Sequence, residues 1–421
     1  MTSRIAAGRR WVARHYADPL YRQSYLMLVS TGVSAGTGLL FWVVAARRAD
    51  PAVLGTAAGL FAANSFLSYL TGFGLPYAML RFGATHVRAV NPALAFSVAT
   101  SFAAALAFTA LAPVVSPELA PHLQRFWPDV VLFAVAGAGA GAGVLVDNVL
   151  TALRRAGTAL ARNAAAGGLR LAPLLWLPAD DPGALYLAAT LPVAATVVVT
   201  LAALPRLVPG YRVTGWADRR DPQVTQVAAF AARGWPGALL SGAPQFALPL
   251  VAVSVLGPRE NAFFYVAWSI AQIAYLVPAV VSNISLSQGT SDSAGTLVAR
   301  SRRFSALLLA PVLVVCVVVP GLVLMWYGAD YEDGAATSLR ILMVGVMPWT
   351  VVILSQSRLR TEHRFTQLTV LTSVFCGLAL ALPVTVGLVT RSGTGMSAGW
   401  AVAVGVTAGL AVVQTARAKR L

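Results

Sequence analysis

Charge is what this chain of 421 residues has least of: 11% of its residues are charged, against roughly 25% in soluble domains. Acids are scarcest, 15 against 31 lysines and arginines. Two cysteines, Cys316 and Cys376, both fall in apolar runs, which excludes a disulfide framework. Four histidines (His15, His86, His122 and His363) are scattered through loops and termini without ligand or catalytic spacing, so no metal or cofactor is expected. No polar interval exceeds about 25 residues, leaving no room for a soluble domain. That argues against an integral-membrane glycosyltransferase or ligase, which needs carboxylates or histidines in a sizeable outer loop. The one acidic cluster, Asp330-Tyr-Glu-Asp333, sits in a turn.

What is there instead is hydrophobic, 57% of the chain. Runs of about 20 apolar residues read as membrane-spanning helices. Twelve occur: 25–46, 53–78, 92–115, 130–151, 163–179, 183–204, 227–256, 262–287, 304–327, 335–357, 366–390 and 396–416. The expected fold is an all-α polytopic membrane protein with about twelve transmembrane helices. The first run is too long for a signal peptide and reads as a retained helix. Pro236, Pro244 and Pro249 are expected to interrupt the seventh run and let it bend.

The net charge of +16 is spread through short loops. A nucleic-acid binder gathers its charge on one soluble face, so nucleic acid is not a partner. With a cytoplasmic N-terminus, cytoplasmic segments hold 24 of the 31 basic residues, Arg154, Arg155, Arg162 and Arg233 among them. The other side holds six: Arg47, Arg48, Arg125, Arg259, Arg340 and Arg391. By the positive-inside rule both termini are cytoplasmic, in a cell membrane. Arg47 and Arg48 lie beside Asp50, where a turn salt bridge is expected.

Residues 205–225 divide six runs from six. The parts are a basic segment 1–24, an N-lobe 25–210, a linker 211–226, a C-lobe 227–416 and a tail 417–421. A shift of 207 residues lays Pro51 on Pro258 and Gly55 on Ala262. Proline favours a helix start, and a small residue one turn later lets two helices approach. Six plus six with internal two-fold symmetry is a transporter pattern, and the site in such folds lies between the halves.

Three segments carry a family resemblance. Ser30–Met79 contains Ala-Arg-Arg-Ala-Asp-Pro-Ala-Val-Leu-Gly and Gly72-Phe-Gly-Leu-Pro-Tyr-Ala. Asp147-Asn-Val-Leu-Thr-Ala-Leu-Arg-Arg-Ala is followed by Asn163 and Gly168-Leu-Arg170-Leu. Trp326-Tyr-Gly-Ala-Asp-Tyr331 precedes Ala335–Leu342. In order and spacing these are similar to Wzx-type polysaccharide flippases of the multidrug/oligosaccharidyl-lipid/polysaccharide exporter superfamily. Ser285-Leu-Ser-Gln288 departs from the family, where many relatives have a proline near a basic residue. The resemblance implies two six-helix lobes around a central cavity, and no bond chemistry. It also implies a lipid-linked oligosaccharide on a polyprenyl diphosphate, carried from the cytoplasmic to the outer leaflet. A polysaccharide polymerase and glycosyltransferases would be partners, besides membrane lipids, and a proton or sodium gradient would drive transport. A multidrug exporter and a peptidoglycan-precursor flippase are the related alternatives.

Ionisable residues inside membrane helices are costly and mark function by default. Arg170 and Asp147 stand out as cavity residues. With a helix starting at Asn163, both lie about 10 Å from the cytoplasmic ends of their helices and are expected to pair. Arginine suits a diphosphate, because its planar fork matches phosphate oxygens. Arg233 is expected near the cytoplasmic entrance. Asn64, Gln245, Gln272, Asn283 and Gln356 are neutral polar residues inside helices, and Asn64 and Gln245 are the preferred sugar contacts. The run Gly137-Ala-Gly-Ala-Gly-Ala-Gly143 lacks the strand-turn-helix context of a phosphate loop and reads as a packing face.

Overall fold

Proline punctuates the helix starts of this chain. α1 (Pro19–Arg48) is followed by α2 (Pro51–Leu70), where Asp50 caps the first turn by accepting from the Ala52 amide at 2.8 Å. The computed structural model describes residues 19–124, 127–207, 211, 217–288, 309–362 and 364–418. After α2 come α3 (Leu75–Phe82), α4 (Val90–Val115), α5 (Trp127–Ala152), α6 (Ala156–Leu171) and α7 (Pro182–Leu207). The second half holds α8 (Pro222–Leu256), α9 (Pro258–Gln288), α10 (Leu309–Val318), α11 (Ala329–Thr361), α12 (Phe365–Thr390) and α13 (Gly393–Ala418). Among the described residues, nine helices are both long and apolar enough to cross a membrane. The described residues of the twelve expected runs fall mainly on these helices, with 304–308 of the ninth run outside the described residues and 176–179 of the fifth not helical. The chain is a multi-pass, all-α membrane protein.

Four boundaries differ from expectation for physical reasons. α1 begins inside the expected basic segment, at Pro19. The run 53–78 breaks at Thr71–Gly74, where Phe73 and Gly74 have left-handed backbone angles (φ 45° and 75°). Gly74 is the residue that can adopt this freely, and a Cβ there would strike the Ala231 carbonyl of α8. The run 304–327 stops at Pro320 before a single turn, Gly321–Leu324. α8, by contrast, is one continuous helix of 35 residues despite its three prolines. The Tyr69 hydroxyl of α2 donates to the Ala238 carbonyl within this helix and fastens the two helices together.

In the first half α1 packs on α6, α6 on α7, α7 on α5 and α5 on α4. In the second, α9 packs on α11, α11 on α13, and α13 on α12. α2 crosses between the halves, lying against α5 and α7 on one side and α8 and α9 on the other. The glycine run of α5 is the packing face its composition suggests. Gly139 faces Ala194 of α7, and Gly141 faces Ser101 of α4, too closely for a Cβ in either place.

Candidate functional site

The α5–α6 hairpin turns tightly, with Arg154 left-handed (φ 57°) and the Arg155 amide donating to the Leu150 carbonyl at 2.7 Å. α6 therefore begins at Ala156, seven residues earlier than expected. Asp147 lies about 8 Å back from the end of α5, and Arg162 about 9 Å into α6. Equidistant from the turn, they meet. Arg162 Nε donates to Asp147 Oδ1 at 3.1 Å and Nη2 to Oδ2 at 2.5 Å, the bidentate geometry that suits arginine. Asn163 accepts from Arg162 Nη2 at 2.8 Å and donates to Asp147 Oδ2 at 3.3 Å. It also donates to Ser30 Oγ at 3.0 Å, which ties the cluster to α1. Arg162 is 7% exposed.

This corrects the expected Asp147–Arg170 pair. The carboxylate belongs to Arg162, which sequence reasoning had placed among the cytoplasmic loop arginines. Arg170 lies about 21 Å along α6, on the far part of the helix. It is half-buried, its Nε is shielded from solvent and has no hydrogen-bond partner, and its electrostatic neighbours are Tyr265 of α9 and Arg162. Arg170 thus belongs to the first half and stands within electrostatic reach of a residue of the second.

The other candidates are spread out. Asn64 is 2% exposed, donates to the Tyr186 hydroxyl at 2.5 Å and accepts from Ser68 Oγ at 3.3 Å, so it fastens α2 to α7 and faces no cleft. Gln245 is half-buried in α8. Arg233 is exposed about 17 Å along α8, deeper than expected because the helix starts at Pro222. Gln356 is buried, Gln272 Nε2 is buried without a partner, and the Asn283 side chain lies outside the described residues.

The halves meet where the helices opened by Pro51 and Pro258 cross. Gly55 lies flat against the Pro258 carbonyl, leaving no space for a Cβ, and Asn261 Nδ2 donates to the Gly55 carbonyl at 2.8 Å. Asn261 is fully buried. Trp42 of α1 packs edge-on against Tyr265 at 5.0 Å. Arg47 does not pair with Asp50, which is occupied as a helix cap. Its Nε and Nη2 donate to the Trp326 and Met325 carbonyls at 2.8 and 2.5 Å, across the seam. Nothing in local sequence signals this contact, since its two ends are 279 residues apart.

An inward-facing multidrug resistance MATE family transporter of the MOP superfamily superimposes with a TM-score of 0.66, covering 92% of this chain and 97% of that one at 13% identity. The lipid II flippase MurJ, in its inward closed conformation, gives 0.70 over 93% and 87% at 10% identity. The chain shares the fold of these two proteins. A MOP superfamily transporter from Pyrococcus furiosus is similar too, with a TM-score of 0.54 over 94% and 95% at 14% identity. By sequence, no family model and no curated protein matches. The seam residues join helices of the first half to helices of the second, and Arg170 is within electrostatic reach of Tyr265 on the second-half side.

Proposed function

We propose that the chain is a transporter of a lipid-linked oligosaccharide, with the diphosphate of the polyprenyl carrier held by Arg170. The observation that carries this reading is Arg170 itself. A guanidinium in the last turn of α6, with its Nε shielded from solvent and no carboxylate partner among the described residues, is costly unless an anion visits it. Phosphate oxygens suit its planar donors. The sugar would be held by neutral polar groups of the lobe seam, with Gln245 the remaining candidate. Arg233, exposed on α8, would attract the headgroup to the cytoplasmic side.

Transport proceeds by alternating access. The lobes separate at Gly55–Pro258 when the outer side opens, breaking the Asn261 bond and releasing Arg47 from its two carbonyls. The Arg162–Asp147 pair stays closed, keeping α5, α6 and α1 together as the lobe moves. A proton or sodium gradient drives the cycle, from the cytoplasmic to the outer leaflet of a cell membrane. The solved relatives include a multidrug transporter and a lipid II flippase. The test therefore compares substrates: purified protein in liposomes with a fluorescent polyprenyl-diphosphate oligosaccharide, lipid II, and a cationic dye. Movement of the dye alone would overturn the reading.

A further inference from the structure

The first lobe contains a cavity of about 730 Å³, of the size that holds a ligand. It follows one stripe of α7 from Gly183 to Ala195 and is walled by α5 and α6. Over that stretch the helix rises about 18 Å, so the mean cross-section is about 40 Å², a shape for an alkyl chain more than for a compact solute. Leu60, Phe133 and Tyr186 close its floor at 1, 1 and 3% exposure, while Leu169 on its edge is 51% exposed. The one polar group of the floor, the Tyr186 hydroxyl, already accepts from Asn64 Nδ2.

The cavity is lined by three further titratable side chains, the acids Asp129 and Asp181 and the imidazole of His122. Asp129 is in the first turn of α5, and Asp181 precedes α7. Asp181 Oδ1 accepts the Gly183 and Ala184 amides at 2.8 and 3.3 Å. Both acids stand where helices begin, and the apolar groove runs from there along α7.

We infer that this groove is a binding site for a phospholipid with a primary ammonium head. One acyl chain fills the groove, and the ammonium donates to Asp129 and Asp181. The ligand's head and tail then keep the same depths they have in the surrounding leaflet. The site is separate from the lobe seam and does not depend on what the transporter carries.

Native mass spectrometry of the purified full chain, titrated separately with phosphatidylethanolamine, phosphatidylcholine and phosphatidylglycerol, tests this. The expected result is binding of phosphatidylethanolamine at least tenfold tighter than of phosphatidylglycerol. Phosphatidylcholine, whose quaternary head cannot donate, falls between them. Asp129→Asn with Asp181→Asn removes the preference, and asparagine keeps the helix cap. Ala195→Trp, which fills the groove from an exposed position and leaves the acids untouched, removes the bound lipid. Equal binding of phosphatidylglycerol by the wild type overturns the inference. So does unchanged phosphatidylethanolamine binding in either folded variant, with folding judged by gel filtration and melting temperature.

Discussion

Asp147→Leu should destabilise the first lobe severely, and Asp147→Leu with Arg162→Leu much less. In the wild type the Arg162 side chain is 5% exposed and donates twice to Asp147. Removing the carboxylate leaves the guanidinium buried with the Asn163 oxygen as its remaining acceptor. Breaking a buried ion pair costs about 3–5 kcal/mol. The Asp147 side chain is 30% exposed, so water reaches that side of the pair and the lower end, about 3 kcal/mol, applies. For a domain of this size, about 2–4 °C per kcal/mol translates this into a loss of about 6–12 °C in melting temperature. In the double variant no unpaired charge remains, and leucines in place of a buried pair are often neutral. The assay is thermal unfolding of detergent-purified protein for the wild type, both single variants and the double variant. A stable Asp147→Leu protein, or a double variant as unstable as the worse single one, would refute the structural role assigned to the pair.

Three further outcomes are expected. Gly55→Val forces α2 from α9 and breaks the Asn261 bond, worth about 1–3 kcal/mol when its buried partner is left unsatisfied. The lobes then part at that end, read as a longer distance between spin labels on Arg48→Cys and Arg259→Cys in a Cys316→Ala, Cys376→Ala background; an unchanged distance contradicts the seam. Tyr69→Phe removes the hydroxyl that engages Ala238 in the proline-bearing helix, and should lower the melting temperature by an amount corresponding to about 1 kcal/mol. Asp221 is held below the usual carboxylate range by the Gln223 amide and by Arg88 at 3.0 Å. Its depressed pKa means that the contribution is present above the ordinary carboxylate value, about pH 4, and fades as pH falls through the lower folded value. Asp221→Asn should therefore flatten the wild type's loss of melting temperature below about pH 4, and an identical acid profile would contradict the assignment.

Hydrophobic run length was enough to read the fold, because a helix that spans a bilayer must be apolar along its whole length. Pro51 and Pro258, which the 207-residue offset lays on each other, both open helices, and these touch at Gly55. The start of α6 was hidden by its own charges. Arg154, Arg155 and Arg162 read together as a loop, yet only the first two form the turn. The alanine-rich stretch Ala156–Ala166 was the available signal for a helix there. Asp147 and Arg162, equally far from the Arg154–Arg155 turn, were the signal for the pair. Arg47 and Asn64 were beyond local reading, since their partners come from distant segments. The prolines of α8 do not interrupt it, for the helix runs unbroken through all three.

The central claim rests on Arg170, and leaflet exchange measures it most directly. Wild type, Arg170→Ala and Arg170→Lys are reconstituted into liposomes with a fluorescent polyprenyl-diphosphate oligosaccharide under proton and sodium gradients. The account predicts exchange by the wild type, at least a tenfold loss in Arg170→Ala with an unchanged melting temperature, and partial recovery in Arg170→Lys. Exchange by Arg170→Ala at the wild-type rate, or none by the wild type under either gradient, would contradict it.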